Sequence, residues 1–431
     1  MAVASPGPTA APAEMVPVAP QERVPLYDVL RGFCLFGVLW SNLNDWYAVG
    51  EPATPLDHAI RWTQDWLLES RFYSMLAFLF GIGFAIQLTR AAQRGQDARS
   101  LFLRRMTALL GFGLVHATLI WSGDILTSYA LAGFILVLFR RCSPHKLLLA
   151  VASLCLLFPY VTGHLAGALG LPRYDSAWGR LIKQALQANA HGTWTESVGA
   201  GVRLFWGGQV RGLLSGNLGR FLALFLLGLW AVRVDLITRL TRGRVYIVRA
   251  LLGTLLCWVA LQYLQNKVDR WWTISPTGPV TTWRELHFWW PPRSDVLSFL
   301  DISTTWINSA VYALLLALAM SFPAAQRRLQ PLAALGRMTL TTYLTQSVVC
   351  TALFYNWGFG LMNRTNLTGI LLFTIVLFSL QIAFSIWWLN RYRFGPVEWL
   401  WRSLAYRSRL PLRIASESTS SAGPPSAPAM T

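Results

Sequence analysis

Residues 367–389 read LTGILLFTIVLFSLQIAFSIWWL, without one charged side chain. As a helix rising 1.5 Å per residue this stretch reaches about 34 Å, enough to cross the roughly 30 Å hydrocarbon layer of a bilayer. Arg391 and Arg393 follow at once, the flank that topology selection leaves in the cytoplasm. Outward from there the pattern repeats, and spans are expected at 29–48, 72–89, 102–121, 123–139, 147–169, 217–234, 245–264, 297–321, 333–355 and 367–389. In lipid every backbone N–H and C=O must be satisfied internally, so such segments have to be helices. The expected fold class is all-α: a polytopic membrane helix bundle of about ten transmembrane helices, with both termini inside.

Composition agrees. Of 431 residues 54% are hydrophobic and only 13% charged, a balance that leaves too little polar surface for a water-soluble domain. The net charge of +18 would suit a nucleic-acid partner, but the basic residues fall in alternate loops, so none is expected. Arg90, Arg94, Arg99, Arg104 and Arg105 follow the second span; Arg140, Arg141 and Lys146 the fourth; Arg233, Arg239, Arg242 and Arg244 the sixth. Arg327 and Arg328 follow the eighth, whereas the segment after the first is acidic. This alternation fixes the orientation and puts the longer connections, about 170–216 and 265–296, outside. Trp46, Trp271–Trp272, Trp289–Trp290 and Trp387–Trp388 stand at expected helix ends, where amphipathic rings favour the headgroup layer. Between the first two spans, residues 56–70 alternate Leu56, Ile60, Trp66 and Leu67 with charges, the pattern of an amphipathic surface helix.

The Ala/Pro-rich residues 1–22 lack the basic start and apolar core of a signal peptide and are expected to be a disordered tail, like 408–431; the membrane domain is 23–407. Cys34, Cys142, Cys155, Cys257 and Cys350 are scattered, which indicates neither a disulfide framework nor a metal site. No G-x-x-x-x-G-K-[ST], G-x-S-x-G, H-E-x-x-H or H-x-x-x-x-D occurs, which excludes the usual nucleotide, hydrolase, zinc-protease and peripheral acyltransferase signatures.

Chemistry must therefore come from polar residues within the bundle. Asp28 and Arg31 sit one helical turn apart at the inner end of the first span, either as an anchoring ion pair or as part of a site. The third span contains His116 and the fourth begins Gly123-Asp124, with Tyr129 following; the short connection brings an imidazole and a carboxylate to the same outer level. Such a pair orients a general base, although a histidine bonded across helices is the plainer alternative. Asn42 and Asp45 close the first span, and Arg71 opens the second, at that level. On the inner side, Gly336-Arg337-Met338 leads into Thr339, Tyr343, Gln346 and Ser347 at helical spacing, a stripe that lines a passage or bonds neighbouring helices. Gly395-Pro396-x-Glu398 starts an expected interfacial turn and helix.

Taken together, Asp28-x-x-Arg31-Gly32 with Asn42, Arg71-Phe72 to Phe80-Gly81-x-Gly83, Arg104-Arg105, Gly113-x-x-His116, Gly123-Asp124-Ile125-Leu126-x-x-Tyr129-Ala130, Gly336-Arg337-Met338-x-Leu340-Thr341-x-Tyr343 and Gly395-Pro396-x-Glu398 resemble the YeiB-like bacterial inner-membrane proteins, domain of unknown function 418. The resemblance runs from about Arg23 to Arg407, with a C-terminal family core at about 217–407, and departs at Arg71, where the family usually has lysine. More distantly, the chain is similar to transmembrane acyltransferases such as heparan-glucosaminide acetyltransferase, which share a first helix with Asp-x-x-Arg-Gly and a later Asn. That similarity implies transfer of an acyl group from cytoplasmic acyl-CoA, as co-substrate, to an extracytoplasmic glycan, lipid or small-molecule acceptor. His58 and His116 both qualify as the implicated histidine. On the leading assignment His116, aided by Asp124, is catalytic; Asn42, Asp45, Arg71 and Tyr129 bind substrate; Asp28, Arg31, Arg104, Arg105 and Arg337 meet acyl-CoA. The rival is a secondary transporter or exporter in which the same ionisable residues line a proton-coupled path.

Overall fold

The computed structural model describes residues 24–47, 54–64, 71–93, 95, 98–168, 176–214, 217–274 and 293–414. The N-terminal tail, the C-terminal one from 415 onward and residues 275–292 lie outside them, as do the side chains at 44–47, Asp45 included. Among the described residues there are helices and no strand; one isolated bridge pairs Tyr392 with Arg413.

The helices run α1 Pro25–Tyr47, α2 Pro55–Thr63, α3 Arg71–Gln93, α4 Ala98–Leu119, α5 Leu126–Leu136, α6 Pro144–Ala168, α7 Ser176–His191 and α8 Trp194–Leu214. They continue with α9 Asn217–Arg233, α10 Leu236–Thr241, α11 Arg244–Ile274, α12 Arg293–Met320, α13 Pro323–Gly336, α14 Thr339–Phe354, α15 Leu367–Leu389 and α16 Pro396–Tyr406. Among the described residues four carry apolar windows long enough to cross a bilayer: Arg71–Gln93, Arg244–Val268, Phe299–Met320 and Leu367–Leu389. Two expected spans differ in form. The fourth is an 11-residue helix and a 3-10 turn, Val137–Phe139, together about 22 Å and short of a full crossing. The ninth is broken: α13 stops at Gly336, and α14 starts afresh at Thr339. The expected outer connection at 170–216 contains the hairpin α7–α8.

The core lies where α1, α3, α4, α5, α9 and α14 meet, filled by Leu35, Leu39, Phe72, Phe84, Phe102, Phe225 and Phe354. Between apolar helices in lipid there is no hydrophobic drive to associate, so close packing of small residues has to supply the contact. Glycines do so at two crossings. A Cβ on Gly81 would strike Phe225 O and one on Gly228 would strike Phe78 O, which locks α3 to α9. Gly32 meets Leu332 and Gly336 meets Asp28 O in the same way, which locks α1 to α13. At the other extreme α11 packs mainly on α12, and only 6% of its apolar window is buried, against 50% for α3. Leu252, Leu256, Val259 and Tyr263 of α11 accordingly face outward, as a lipid-facing helix requires.

Several hydrogen bonds join loop ends in pairs, and each pair falls on one side of the expected alternation. At one end Arg233 donates to Arg140 O, Arg244 to Ser321 O at 2.9 Å, and Trp401 to Arg105 O at 2.9 Å. At the other, Asn356 N donates to Asn189 O at 2.8 Å, and Thr368 N and Oγ1 donate to Asp57 at 3.0 and 2.9 Å.

Candidate functional site

A cavity of about 620 Å³ opens among α1, α3, α4, α14 and α16. Along α3 it is bordered by Tyr73, Leu76, Phe80, Gly83, Gln87 and Arg90, successive positions on one helical face. From Tyr73 to Ala91 that face extends about 27 Å, nearly the thickness of the hydrocarbon layer. Its chemistry changes with depth: charged at the Arg90 end, apolar between Leu76 and Phe84, tyrosine-rich at the Tyr73 end.

Among the described residues the charged mouth holds Arg31, Arg90, Arg105, Arg337, Arg393 and Arg402 beside two carboxylates, Asp28 and Glu398. Both carboxylates are committed. Asp28 pairs with Arg31 at 2.9 Å. Glu398 accepts Leu340 N at 2.6 Å, Thr341 N at 3.0 Å and Thr341 Oγ1 at 2.5 Å, so it caps α14 from α16, where Met338 offers no side-chain cap. Burial pushes the Glu398 carboxyl above its ordinary value, against the opposing pull of these hydrogen bonds. Arg105 lies over the Trp401 ring at 4.4 Å, which fixes its guanidinium beside the mouth. The result is a region of strong positive potential suited to phosphate.

At the waist, Gly83 differs from Gly81 two residues before it. A side chain there would meet only Arg31 Nη2, at 3.8 Å, so helix packing does not require this glycine; its effect is to keep the passage open.

The deep end is a polar network. Tyr73 donates its hydroxyl to Asn42 Oδ1, Tyr129 donates to Tyr73 O at 2.8 Å, and Ile125 N donates to Tyr343 Oη at 3.4 Å. Behind Tyr343, with ring centroids 5.2 Å apart, lies His116. Its Nδ1 is 2.9 Å from Asp124 Oδ1, and Asp124 Oδ2 accepts Thr127 N at 2.7 Å to hold the first turn of α5. Gly113, one turn before His116, allows this approach, because a Cβ there would press on Thr127 N at 2.6 Å and Asp124 Oδ2 at 3.0 Å. A carboxylate on Nδ1 keeps the proton there and leaves Nε2 as the basic nitrogen. Nε2 is buried, and no hydrogen-bond partner occupies it among the described residues.

Of the residues singled out in the sequence, Asp28, Arg31, Arg105, Arg337 and Tyr129 line the cavity. Asn42 stands one hydrogen bond behind Tyr73, and the His116–Asp124 pair stands behind Tyr343 and Ile125 rather than on the wall. Arg104 turns back to Ser100 O at 3.3 Å, and Arg71 packs at α12, its carbonyl accepting Ser309 Oγ at 2.8 Å; neither reaches the cavity. His58 is exposed on α2. Thr339 and Tyr343 of the α14 stripe line the cavity, while Gln346 bonds Gln381 at 3.0 Å. Sequence reasoning missed Tyr73, Gly83 and Trp401; the α3 stripe from Tyr73 to Arg90 was the available signal for the first two. No group of three or more His, Cys, Asp or Glu that would hold a metal stands among the described residues.

Residues 265–408 match the model of a family described as a protein of unknown function, DUF418. The chain is 31% identical to the uncharacterized protein YxaH of Bacillus subtilis (strain 168), over 92% of this chain and 97% of that protein. It is 28% identical to an uncharacterized 39.9 kDa protein of Bacillus acidopullulyticus, over 94% and 99%. It is 27% identical to the uncharacterized protein YeiB of Escherichia coli (strain K12), over 90% and 98%.

Proposed function

This chain belongs to the DUF418 family, and from that premise and its cavity we propose that it is a membrane-embedded acyltransferase, moving an acyl group from cytoplasmic acyl-CoA to an acceptor on the opposite side. In this reading the protein sits in a bacterial inner membrane with both termini inside and its arginine-rich end in the cytoplasm. The observation that carries it is the graded cavity: six arginines at one end, an apolar middle, and tyrosines at the other, with the His116–Asp124 pair one ring behind Tyr343. Phosphates of the donor pair with Arg31, Arg105 and Arg337, its linear arm passes Gly83, and the thioester carbonyl accepts the Tyr343 hydroxyl, whose oxygen accepts Ile125 N and whose proton is left to donate. The acceptor oxygen attacks the carbonyl carbon while His116 Nε2 takes its proton. The C–S bond then breaks, and the same proton passes to the thiolate, giving an ester and free CoA. Asp124 holds the tautomer and stabilises the transient imidazolium.

The test uses the full-length protein in nanodiscs, with labelled acetyl-CoA and palmitoyl-CoA as donors. His116→Ala should lower transfer by about 10²–10⁴, the usual worth of a general base, without loss of donor binding. Gly83→Leu, which has room on its own helix, should abolish donor binding and leave the fold intact. Failure of either CoA to bind the wild type overturns the reading. The depth of the cavity also suits a solute path, and in liposomes that second reading expects unmodified solute to cross.

A further inference from the structure

Arg105 lines the cavity, yet only 8% of it is exposed. Among the described residues it pairs with no carboxylate, and its Nε is buried without a hydrogen-bond partner. Its neighbours add to the cost of that burial. Arg31 and Arg402 both lie close enough to repel it, and the nearest counter-charge, Asp28, is bound to Arg31 at 2.9 Å. Trp401 holds the residue at both ends, donating Nε1 to Arg105 O at 2.9 Å and placing its ring 4.4 Å from the guanidinium. An unpaired buried cation among like charges is expensive, and an anion that carries more than one charge relieves it. A guanidinium fork suits phosphate oxygens.

The depth of this station is defined by its neighbours. A Cβ on Gly83 would stand 3.8 Å from Arg31 Nη2, so Arg31 and Gly83 share a level. At the far end Asn42 accepts the Tyr73 hydroxyl, and Tyr73 and Tyr129 lie close enough to Tyr343 to act on it electrostatically. Two helices measure the interval between the levels. On α3, Gly83 to Tyr73 is a rise of about 15 Å, and on α1, Arg31 to Asn42 is about 16.5 Å. A phosphopantetheine arm has about thirteen bonds from phosphorus to sulfur, and at the roughly 1.15 Å per bond of an extended chain it spans about 15 Å. Between its ends the cavity wall is apolar, from Leu76 to Phe84.

We propose that Arg105 anchors the phosphate of the donor and that the cavity measures a phosphopantetheine arm, with the phosphate at Arg105 and the thioester at Tyr343. The inference rests on the acyl-transfer reading and names the part of the donor that is recognised. The nucleotide then lies beyond the arm, in the mouth toward Arg90 and Arg393.

In phosphatidylcholine nanodiscs the wild type should bind CoA and 4′-phosphopantetheine, and should bind pantetheine, which lacks the phosphate, at least about 10-fold more weakly. Arg105→Met removes the charge and leaves a sulfur to rest on the Trp401 ring. It should weaken CoA and phosphopantetheine by that same factor, leave pantetheine unchanged, and melt no lower than the wild type without ligand, because an unpaired buried charge has gone. Arg105→Lys should recover part of the affinity. Unchanged CoA affinity in Arg105→Met, or a lower ligand-free melting temperature, overturns the anchor. An acetyl-CoA analogue with one extra methylene in the arm tests the length. It should bind as acetyl-CoA does and transfer about 10²-fold more slowly, since its carbonyl overshoots Tyr343 by about 1 Å. Equal turnover overturns the measured arm. Phosphate-dependent binding that Arg105→Met abolishes, in a protein that transfers no acyl group, keeps the anchor and overturns the acyl-transfer reading. Transfer from acetyl-pantetheine as fast as from acetyl-CoA does the reverse.

Discussion

Asp124 joins two tasks in one side chain. Oδ1 meets His116 Nδ1 and Oδ2 holds the Thr127 amide, so the residue that orients the imidazole also starts α5. Substitutions separate the tasks. Asp124→Asn keeps an oxygen for Thr127 but removes the negative charge that stabilises a protonated His116, and transfer should fall by about 10²–10⁴ with thermal stability nearly unchanged. Asp124→Ala should lose the same activity and, in addition, about 1 kcal/mol of stability through the lost cap. Melting curves in detergent beside turnover measurements check both; equal stability of the two variants would remove the capping role. This pair was legible in the sequence because only six residues separate α4 from α5, too few to place His116 and Asp124 far apart. Tyr343 was legible as part of a stripe and not as the ring against His116, because 227 positions separate the two and spacing carries no information across such a distance.

Short surface helices hold the bundle at its edges, and α2 does so with a carboxylate. Thr54 and Asp57 form a capping box at its start, and Asp57 also receives Thr368 N and Oγ1 from the start of α15. Burial raises the carboxyl, but the hydrogen bonds from Thr368 and Thr54 outweigh it, and the group titrates below its ordinary value of 3.8. A folded-state value below the unfolded one means that this tether contributes fully above the unfolded value and fades as pH falls through the folded one. Hydrogen exchange at the α2 amides should therefore be slower in the wild type than in Asp57→Asn at neutral pH, and the difference should close under strongly acid conditions. A gap independent of pH would remove the carboxylate from the account. The amphipathic pattern from residue 56 announces α2, but a buried acid on it looks like ordinary surface charge until α15 is placed alongside. The break in the ninth span was hidden for a related reason. Glu398 supplies the cap for α14 from 58 positions downstream, so the local sequence at Gly336-Arg337-Met338 reads as continuous helix.

At the scale of the molecule, charge and hydrophobicity carry different information. Apolar length identified the helices, because a long uncharged stretch has few other stable fates; it did not identify the cavity, whose apolar wall residues resemble lipid-facing ones in sequence. Positive charge predicts two ends to the bundle, and the separate hydrogen bonds Arg233–Arg140, Arg244–Ser321, Asn356–Asn189 and Thr368–Asp57 each join two loop ends that the alternation assigns to the same side. Which group faces the cytoplasm follows only from the rule that basic loops are retained there. Two exposed sites give the rule a direct trial: Arg242 in the turn after α10 and Thr195 at the start of α8. In a background without native cysteines, an impermeant maleimide added to intact spheroplasts should label Thr195→Cys and spare Arg242→Cys, and the order should reverse in inverted vesicles. The proposed acyl transfer depends on that outcome. In that reading a donor made in the cytoplasm reaches the arginine-lined mouth only if Arg242 shares its compartment, and the acceptor comes from the side of Thr195. Labelling of both positions from one side would put Arg242 and Thr195 in a single compartment, and transfer between donor and acceptor on opposite sides of the membrane would then have no basis.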